Sequence, residues 1–198
     1  MLSAYYSNEY IEAGCDEAGR GCLAGPVFAA AVIFDKEYNN PELNDSKKLS
    51  EKKRDELRDI IIRDAVSWCV KKVDADEIDR INILNASFLA MSKAVKGLAV
   101  QPELLLIDGN NFRTDLTIPH KCFIKGDGKY QSIAAASILA KTFRDEYMKE
   151  LSLSHPEYGW NKNKGYGSKV HCLAIRSHGL TAYHRKTFNR GFLQTSLF

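Results

Sequence analysis

The chain lacks any long hydrophobic run. No stretch is apolar over the roughly 18 or more residues that a membrane-crossing helix needs, which excludes that class for these residues. The opening segment, MLSAYYSNEYIEAG, has neither the basic start nor the apolar block of a signal peptide, so a cytoplasmic protein is expected. Cysteine is present without pattern. The five residues, Cys15, Cys22, Cys69, Cys122 and Cys172, are odd in number and scattered, and no CxxC pair occurs. That excludes a zinc ribbon or a disulfide framework and fits reduced thiols. Internal repeats and low-complexity segments are also missing.

What remains is an ordinary globular composition, 44% hydrophobic and 27% charged over 198 residues, for which a single domain is the default. The net charge of +3 hides an asymmetry. Residues 1–120 hold 15 Lys+Arg against 20 Asp+Glu, whereas residues 121–198 hold 13 against 5. A basic C-terminal part joined to a carboxylate-rich part suits a polyanion brought to a metal centre, although a solvated basic face would look the same.

The chain alternates strand and helix signals, which predicts an α/β sheet. Buried strands are expected over 11–15 and 27–34, joined by a Gly-rich turn, with a third over 66–73, a fourth over 103–107 and a fifth over 121–125. Ser50 reads as the N-cap of a charged helix over 51–64. Residues 74–80 suggest a helical turn, and residues 82–98 carry a helical apolar stripe. A long helix over 131–151 has an unusually small, apolar first half, Ile133-Ala134-Ala135-Ala136-Ser137-Ile138-Leu139-Ala140. Residues 155–171 read as a loop, followed by a helix over 169–177 and a basic tail.

The chemistry concentrates in Asp16-Glu17-Ala18-Gly19-Arg20-Gly21. Two carboxylates end the first strand, and a glycine-flanked arginine follows. Asp108 ends the fourth strand, Asp127 follows the fifth, and Asp45 lies in the loop after the second. Carboxylates at strand ends of an α/β sheet can converge on one edge, where ligands bind. Their repulsion would be relieved by hard cations with oxygen ligands, Mg²⁺ or Mn²⁺. A lone Asp before Gly is also a common turn former. Adjacent residues of a regular strand point to opposite faces, so Asp16 and Glu17 are expected to share a site only if the strand ends or bulges there.

Taken together, the segments DEAGRG (16–21), DSKKLS (45–50), LLIDGN (105–110), KGDGKYQSIAAASILAKTFRD (125–145), KGYGSKVH (164–171) and YHRKTF (183–188) resemble the bacterial type 2 ribonucleases H. They occur in the family's order and span nearly the whole chain. The Gly-Arg-Gly form sets the chain apart from the related type 3 enzymes, and Cys15 stands where the family more often has an aliphatic residue. The resemblance implies an RNase H-like fold, a five-stranded mixed sheet flanked by helices with a C-terminal helical extension. It divides a single 1–198 domain into a core of about 1–150, a basic substrate-binding extension of about 151–190 and a tail, 191–198.

The resemblance further implies cleavage of the RNA strand of RNA–DNA hybrids and incision 5′ to single ribonucleotides in duplex DNA, in primer removal and ribonucleotide excision repair. Two metal ions, Mg²⁺ or Mn²⁺, would be held by Asp16, Glu17, Asp108 and Asp127, leaving 5′-phosphate and 3′-hydroxyl ends. Gly19, Arg20, Gly21 and Tyr166 would read the RNA–DNA junction, the glycines admitting close backbone approach to the 2′-hydroxyl and Tyr166 stacking on the next deoxyribose. Asp45, Ser46, Lys47, Lys48, Lys129, Lys164, Lys169 and His171 complete the expected substrate contacts, mostly to phosphate. Asp45 reads more as a brace of its own loop than as a metal ligand. Ser137 and Lys141 are expected to support the site. The final Gln194-Thr195-Ser196-Leu197-Phe198 resembles the peptide by which replication proteins bind the sliding clamp, with Gln194, Leu197 and Phe198 as anchors. A monomer without membrane partners is expected. The alternatives are a hybrid-binding protein of weak catalysis and a metal-dependent DNA nuclease on the same fold.

Overall fold

The computed structural model describes residues 2–189 and 191. The tail residues Gln194, Leu197 and Phe198 lie outside them. Five strands form one mixed sheet: β1 (Glu12–Ala18), β2 (Val27–Ile33), β3 (Ser67–Val73), β4 (Leu104–Asp108) and β5 (His120–Phe123), in the order β3-β2-β1-β4-β5. β1, β2 and β3 pair antiparallel, whereas β4 lies parallel to β1 and β5 parallel to β4.

The helices are α1 (Glu51–Asp64), α2 (Ala75–Ile81), α3 (Ile83–Lys96), α4 (Gln131–Ser154), α5 (Trp160–Asn163) and α6 (Lys169–His178). α1 begins where its cap chemistry predicts: the Ser50 hydroxyl accepts from the Lys53 N–H at 3.2 Å. α3 and α4 cover opposite faces of the sheet. Strand alternation sorts the residues between them. Ala13, Cys15, Ala29 and Ala31 join the α3 side with Phe88, Met91 and Val95. Ala30 and Val32 join the α4 side with Ala134–Ala136, Ile138 and Leu139. α1 leans on α4 through Leu57 and Ile61, whose burial contributes about 2 kcal/mol each.

The small residues of α4 let it come very close to the sheet. A methyl group placed on Gly14 would lie 2.2 Å from the carbonyl carbon of Ser132. Residues 155–171, expected as loop, instead contain a 3₁₀ turn at Pro156–Tyr158, all of α5 and the start of α6. Tyr158 and Trp160 stack with ring centroids 4.9 Å apart and pack with Met148 and Ile175, closing the extension onto the end of α4. Among the described residues, no helix is long and apolar enough to cross a membrane.

Candidate active site

The site is built where the sheet changes from antiparallel to parallel pairing. The expectation that β1 ends or bulges at Asp16 is corrected. β1 continues in regular register with β2 through Ala18↔Phe28, so Asp16 (beside Ala30) faces α4 and Glu17 (beside Ala29) faces α3. The ladder with β4, however, stops at Cys15↔Ile107. Beyond that pair the β1 edge is open, and side chains from both faces reach the same cleft around it. Asp16 and Asp108 each follow that last pair, and both line the cleft, near enough for the Asp108 charge to act on Asp16.

That cleft, of about 370 Å³, is lined by Asp16, Glu17 and Asp108, by Gly19, Arg20 and Gly21, and by Ser46, Lys47, Arg54, Ser137, Lys141 and Tyr166. Segments far apart in sequence are thus brought together as expected. Asp127 does not line the cleft. It is buried in the 3₁₀ turn Gly126–Gly128, close to Asp108, Asp45 and Lys47.

The carboxylates disfavour one another. Burial, then the charges of Glu17 and Asp108, hold the Asp16 carboxyl well above the usual range, against hydrogen bonds from Ser137 and from the Glu17 N–H at 2.7 Å. Burial also raises Glu17, although the Arg20 guanidinium, 3.1 Å away, opposes it. Burial, Asp108 and Asp45 raise Asp127. Asp108 accepts from the Gly126 N–H at 2.7 Å, which ties the β4 end to the turn carrying Asp127. Among the described residues no three His, Cys, Asp or Glu side chains converge tightly enough to enclose an ion as they stand. The chemistry of the donor set nevertheless fits a hard divalent cation: the groups are all carboxylate oxygens, crowded enough to repel, and a cation would relieve that strain.

The other expected residues divide. Ser46 is buried, its hydroxyl 2.9 Å from that of Ser137, so the 45–50 loop is fastened to α4 beside Asp16. Asp45 braces that loop, its Oδ1 accepting from the Lys47 N–H at 2.9 Å, while the Lys47 side chain lines the cleft. Lys48, Lys129 and Lys169 are exposed and outside the cleft lining. Tyr166 is 44% exposed at the cleft wall.

Two expected phosphate contacts are corrected. Lys164 is buried, and its ammonium turns back to the Asn161 carbonyl; the left-handed backbone at this residue directs the side chain inward. His171 is fully buried, its ring held between Trp160, His184 and the Tyr166 carbonyl. Three arginines that sequence reasoning undervalued act on the site's main chain. Arg54 donates to the Ser46 and Leu49 carbonyls at 3.0 and 2.6 Å. Arg144 donates to Pro26, Lys164 and Ala24, and Arg185 to Gly19, Arg20 and Gly25. The segments KTFRD and YHRKTF carry Arg144 and Arg185, whereas Arg54 lies in none of the family-like segments.

The family model for Ribonuclease HII matches residues 13–192. A Ribonuclease HII of Parabacteroides distasonis is 63% identical over 188 residues, covering 95% of this chain and 94% of its own length. Among solved structures, the ribonuclease H2 of Pyrococcus horikoshii OT3 superposes with a TM-score of 0.78 at 24% identity, over 93% of this chain and 97% of that one. The RNase HII of Archaeoglobus fulgidus, solved as a PCNA:RNase HII complex, gives 0.68 at 26% identity, over 88% and 93%. A Bst-RNase HIII in complex with Mn²⁺ gives 0.73 at 22% identity, over 94% of this chain and 70% of that one. With a family match across nearly the whole chain and a relative at this identity, the chain belongs to the ribonuclease HII family and is a ribonuclease H, a metal-dependent nuclease of RNA–DNA hybrids.

Proposed function

We propose that the protein cuts the RNA strand of RNA–DNA hybrids and incises duplex DNA 5′ to a single embedded ribonucleotide, leaving 5′-phosphate and 3′-hydroxyl ends. The observation that carries this reading is one cleft shared by three carboxylates, the Gly19-Arg20-Gly21 loop and the half-exposed ring of Tyr166. The acids belong to hydrolysis and the loop and ring to recognition of a ribose–deoxyribose step. A pure hybrid-binding protein has no use for crowded acids. A DNA nuclease has no use for a 2′-hydroxyl reader.

In this reading Asp16, Glu17, Asp108 and Asp127 would hold two divalent ions, Mg²⁺ or Mn²⁺. Bound there, such ions supply the Lewis acidity that activates water and eases departure of the 3′-oxygen. The chain's own residues orient the substrate. Backbone N–H groups of the 19–21 loop meet the 2′-hydroxyl, and glycine at both flanks lets the strand come close. Tyr166 stacks on the following deoxyribose, where an added 2′-oxygen would clash. Lys47 in the cleft, with Lys48, Lys129 and Lys169 outside it, contacts phosphates and makes binding salt-sensitive. Residues of about 151–190 dock the duplex against the core. The tail, through Gln194, Leu197 and Phe198, engages a sliding clamp, a reading supported by the clamp complex of the Archaeoglobus relative. The protein acts as a cytoplasmic monomer in primer removal and ribonucleotide repair.

The test is a duplex with one ribonucleotide, incubated with Mg²⁺, Mn²⁺ or EDTA. One cut is expected, on the 5′ side, dependent on metal and lost in Asp16→Asn. Cleavage of an all-DNA duplex at a similar rate would overturn the reading.

A further inference from the structure

Arg185 is fully buried, and its guanidinium donates three hydrogen bonds to main-chain carbonyls. Its Nη2–H meets the Gly19 carbonyl at 2.7 Å, its Nη1–H the Arg20 carbonyl at 2.8 Å, and its Nε–H the Gly25 carbonyl at 2.9 Å. A trans peptide points its carbonyl and the next N–H in opposite directions. With the carbonyls of Gly19 and Arg20 drawn down onto Arg185, the N–H groups of Arg20 and Gly21 are turned away from it.

The preceding residue, His184, reaches Tyr166. The Thr181 N–H donates to His184 Nδ1 at 2.9 Å, which leaves the neutral ring's proton on Nε2. That Nε2 lies 3.1 Å from His171 Nε2, which also accepts the Trp160 indole N–H at 3.0 Å. The His171 proton then sits on Nδ1, 2.9 Å from the Tyr166 carbonyl. The main chain closes the unit: the Arg185 N–H donates to the Leu23 carbonyl at 2.9 Å, and the Leu23 N–H to the Gly165 carbonyl at 2.8 Å.

We infer that His184 and Arg185 are positioning residues for junction discrimination: two consecutive residues, one bonded toward Tyr166 and the other to the 19–21 loop, fix the spacing between the two halves of the reader. The inference rests on the proposed roles of that loop and of Tyr166. Arginine is required because only its planar fork offers several donors in fixed directions; lysine keeps the charge and loses the fork.

The experiment compares kcat and KM of the full chain on two substrates, a duplex with one embedded ribonucleotide and an uninterrupted RNA–DNA hybrid. Wild type, Arg185→Lys, His184→Gln, Tyr166→Ala and Arg185→Lys/Tyr166→Ala are measured. Arg185→Lys and His184→Gln should lower kcat/KM on the single ribonucleotide about tenfold more than on the hybrid, the loss expected from one misplaced hydrogen bond. A merely structural role removes active molecules and lowers both substrates alike. If Arg185→Lys does not fold, His184→Gln carries the test. The double variant should lose less selectivity than the two single losses combined, since both act on the one spacing between loop and ring. If Tyr166→Ala leaves the substrate ratio unchanged, the reader itself is misassigned. If Tyr166→Ala changes the ratio while both positioning variants lower the two substrates equally, this inference alone falls.

Discussion

Replacing Asp16 with asparagine should abolish cleavage and, in the same protein, raise stability without metal. Asp16 and Asp108 each follow the last β1–β4 pair, Cys15↔Ile107, and both line the cleft; a charge separation of about 5 Å, the spacing of neighbouring strands, sets the scale. At an effective dielectric near 20 two such charges repel by about 3 kcal/mol, and Glu17 adds to this. Asparagine keeps an oxygen for the Glu17 N–H and removes the charge. A net gain of about 2 kcal/mol corresponds to a melting temperature about 4–8 °C higher for a chain of this size. The sign of the pH dependence follows from the raised Asp16 carboxyl. The folded state holds its proton to higher pH than the unfolded state does, so metal-free wild type loses stability as pH rises from the ordinary carboxylate value through the raised one. The asparagine variant lacks this loss. Calorimetry in EDTA should therefore show the variant's advantage widening from about pH 5 to about pH 8, and added Mn²⁺ should narrow it by stabilising wild type more. A variant less stable than wild type at both pH values, or an advantage that does not change with pH, would refute the reasoning.

Tyr166→Ala should erase the preference for a single ribonucleotide while leaving the Mn²⁺-induced rise in melting temperature unchanged; a lost metal response would place the ring in the metal site instead. Burial and the neighbouring His171 and His155 pull His184 down to about 4, so its contribution is intact above the unfolded value and is lost as pH falls from about 6.5 toward 4. That contribution is about 3 kcal/mol, and urea melts of His184→Gln should lack it across this window. Gly14→Ala should cost about 3 kcal/mol in denaturant melts, because the added methyl would meet the main chain of Ser132 and Ile133 at 2.2–2.4 Å; a cost near zero would contradict the close approach of α4.

Features set by local chemistry were readable from sequence. Ser50 and the charged residues after it place α1 at its observed bounds, because a cap bond spans only three residues. The run Ile133–Ala140 announces a helix pressed against a sheet, and Gly14 opposite it shows how closely. What depended on distant partners was not readable. The polar Asp16 looked like a strand end because its alternation cue stops there; pairing with β2 carries the strand on to Ala18. Residues 156–163 carry little helical signal, and the stacked Tyr158 and Trp160 hold their short turns. A buried basic residue reads in sequence like a solvated one. Arg144 and Arg185 become structural only when carbonyls from distant segments converge on them, and Lys164 and His171 when their side chains turn inward onto the nearby Asn161 and Tyr166 carbonyls. The strand-end placement of Asp16, Glu17 and Asp108 foreshadowed their shared cleft, but not that Asp127 is buried in the next turn beside Asp108 and Asp45.

The bond from Arg185 to the Gly19 carbonyl joins residues 166 apart in the chain. A ribosome makes the loop 166 residues before the side chain that secures it. Contacts of such separation form late and slowly in folding. The growing chain can assemble β1 through α4 with its acids already crowded together, yet the loop at 19–21 stays unsecured until residue 185 docks. On the proposed reading, competence to select a ribonucleotide therefore arrives after the sheet is built, and a chain not yet extended to residue 185 carries the crowded acids without a fixed loop beside them.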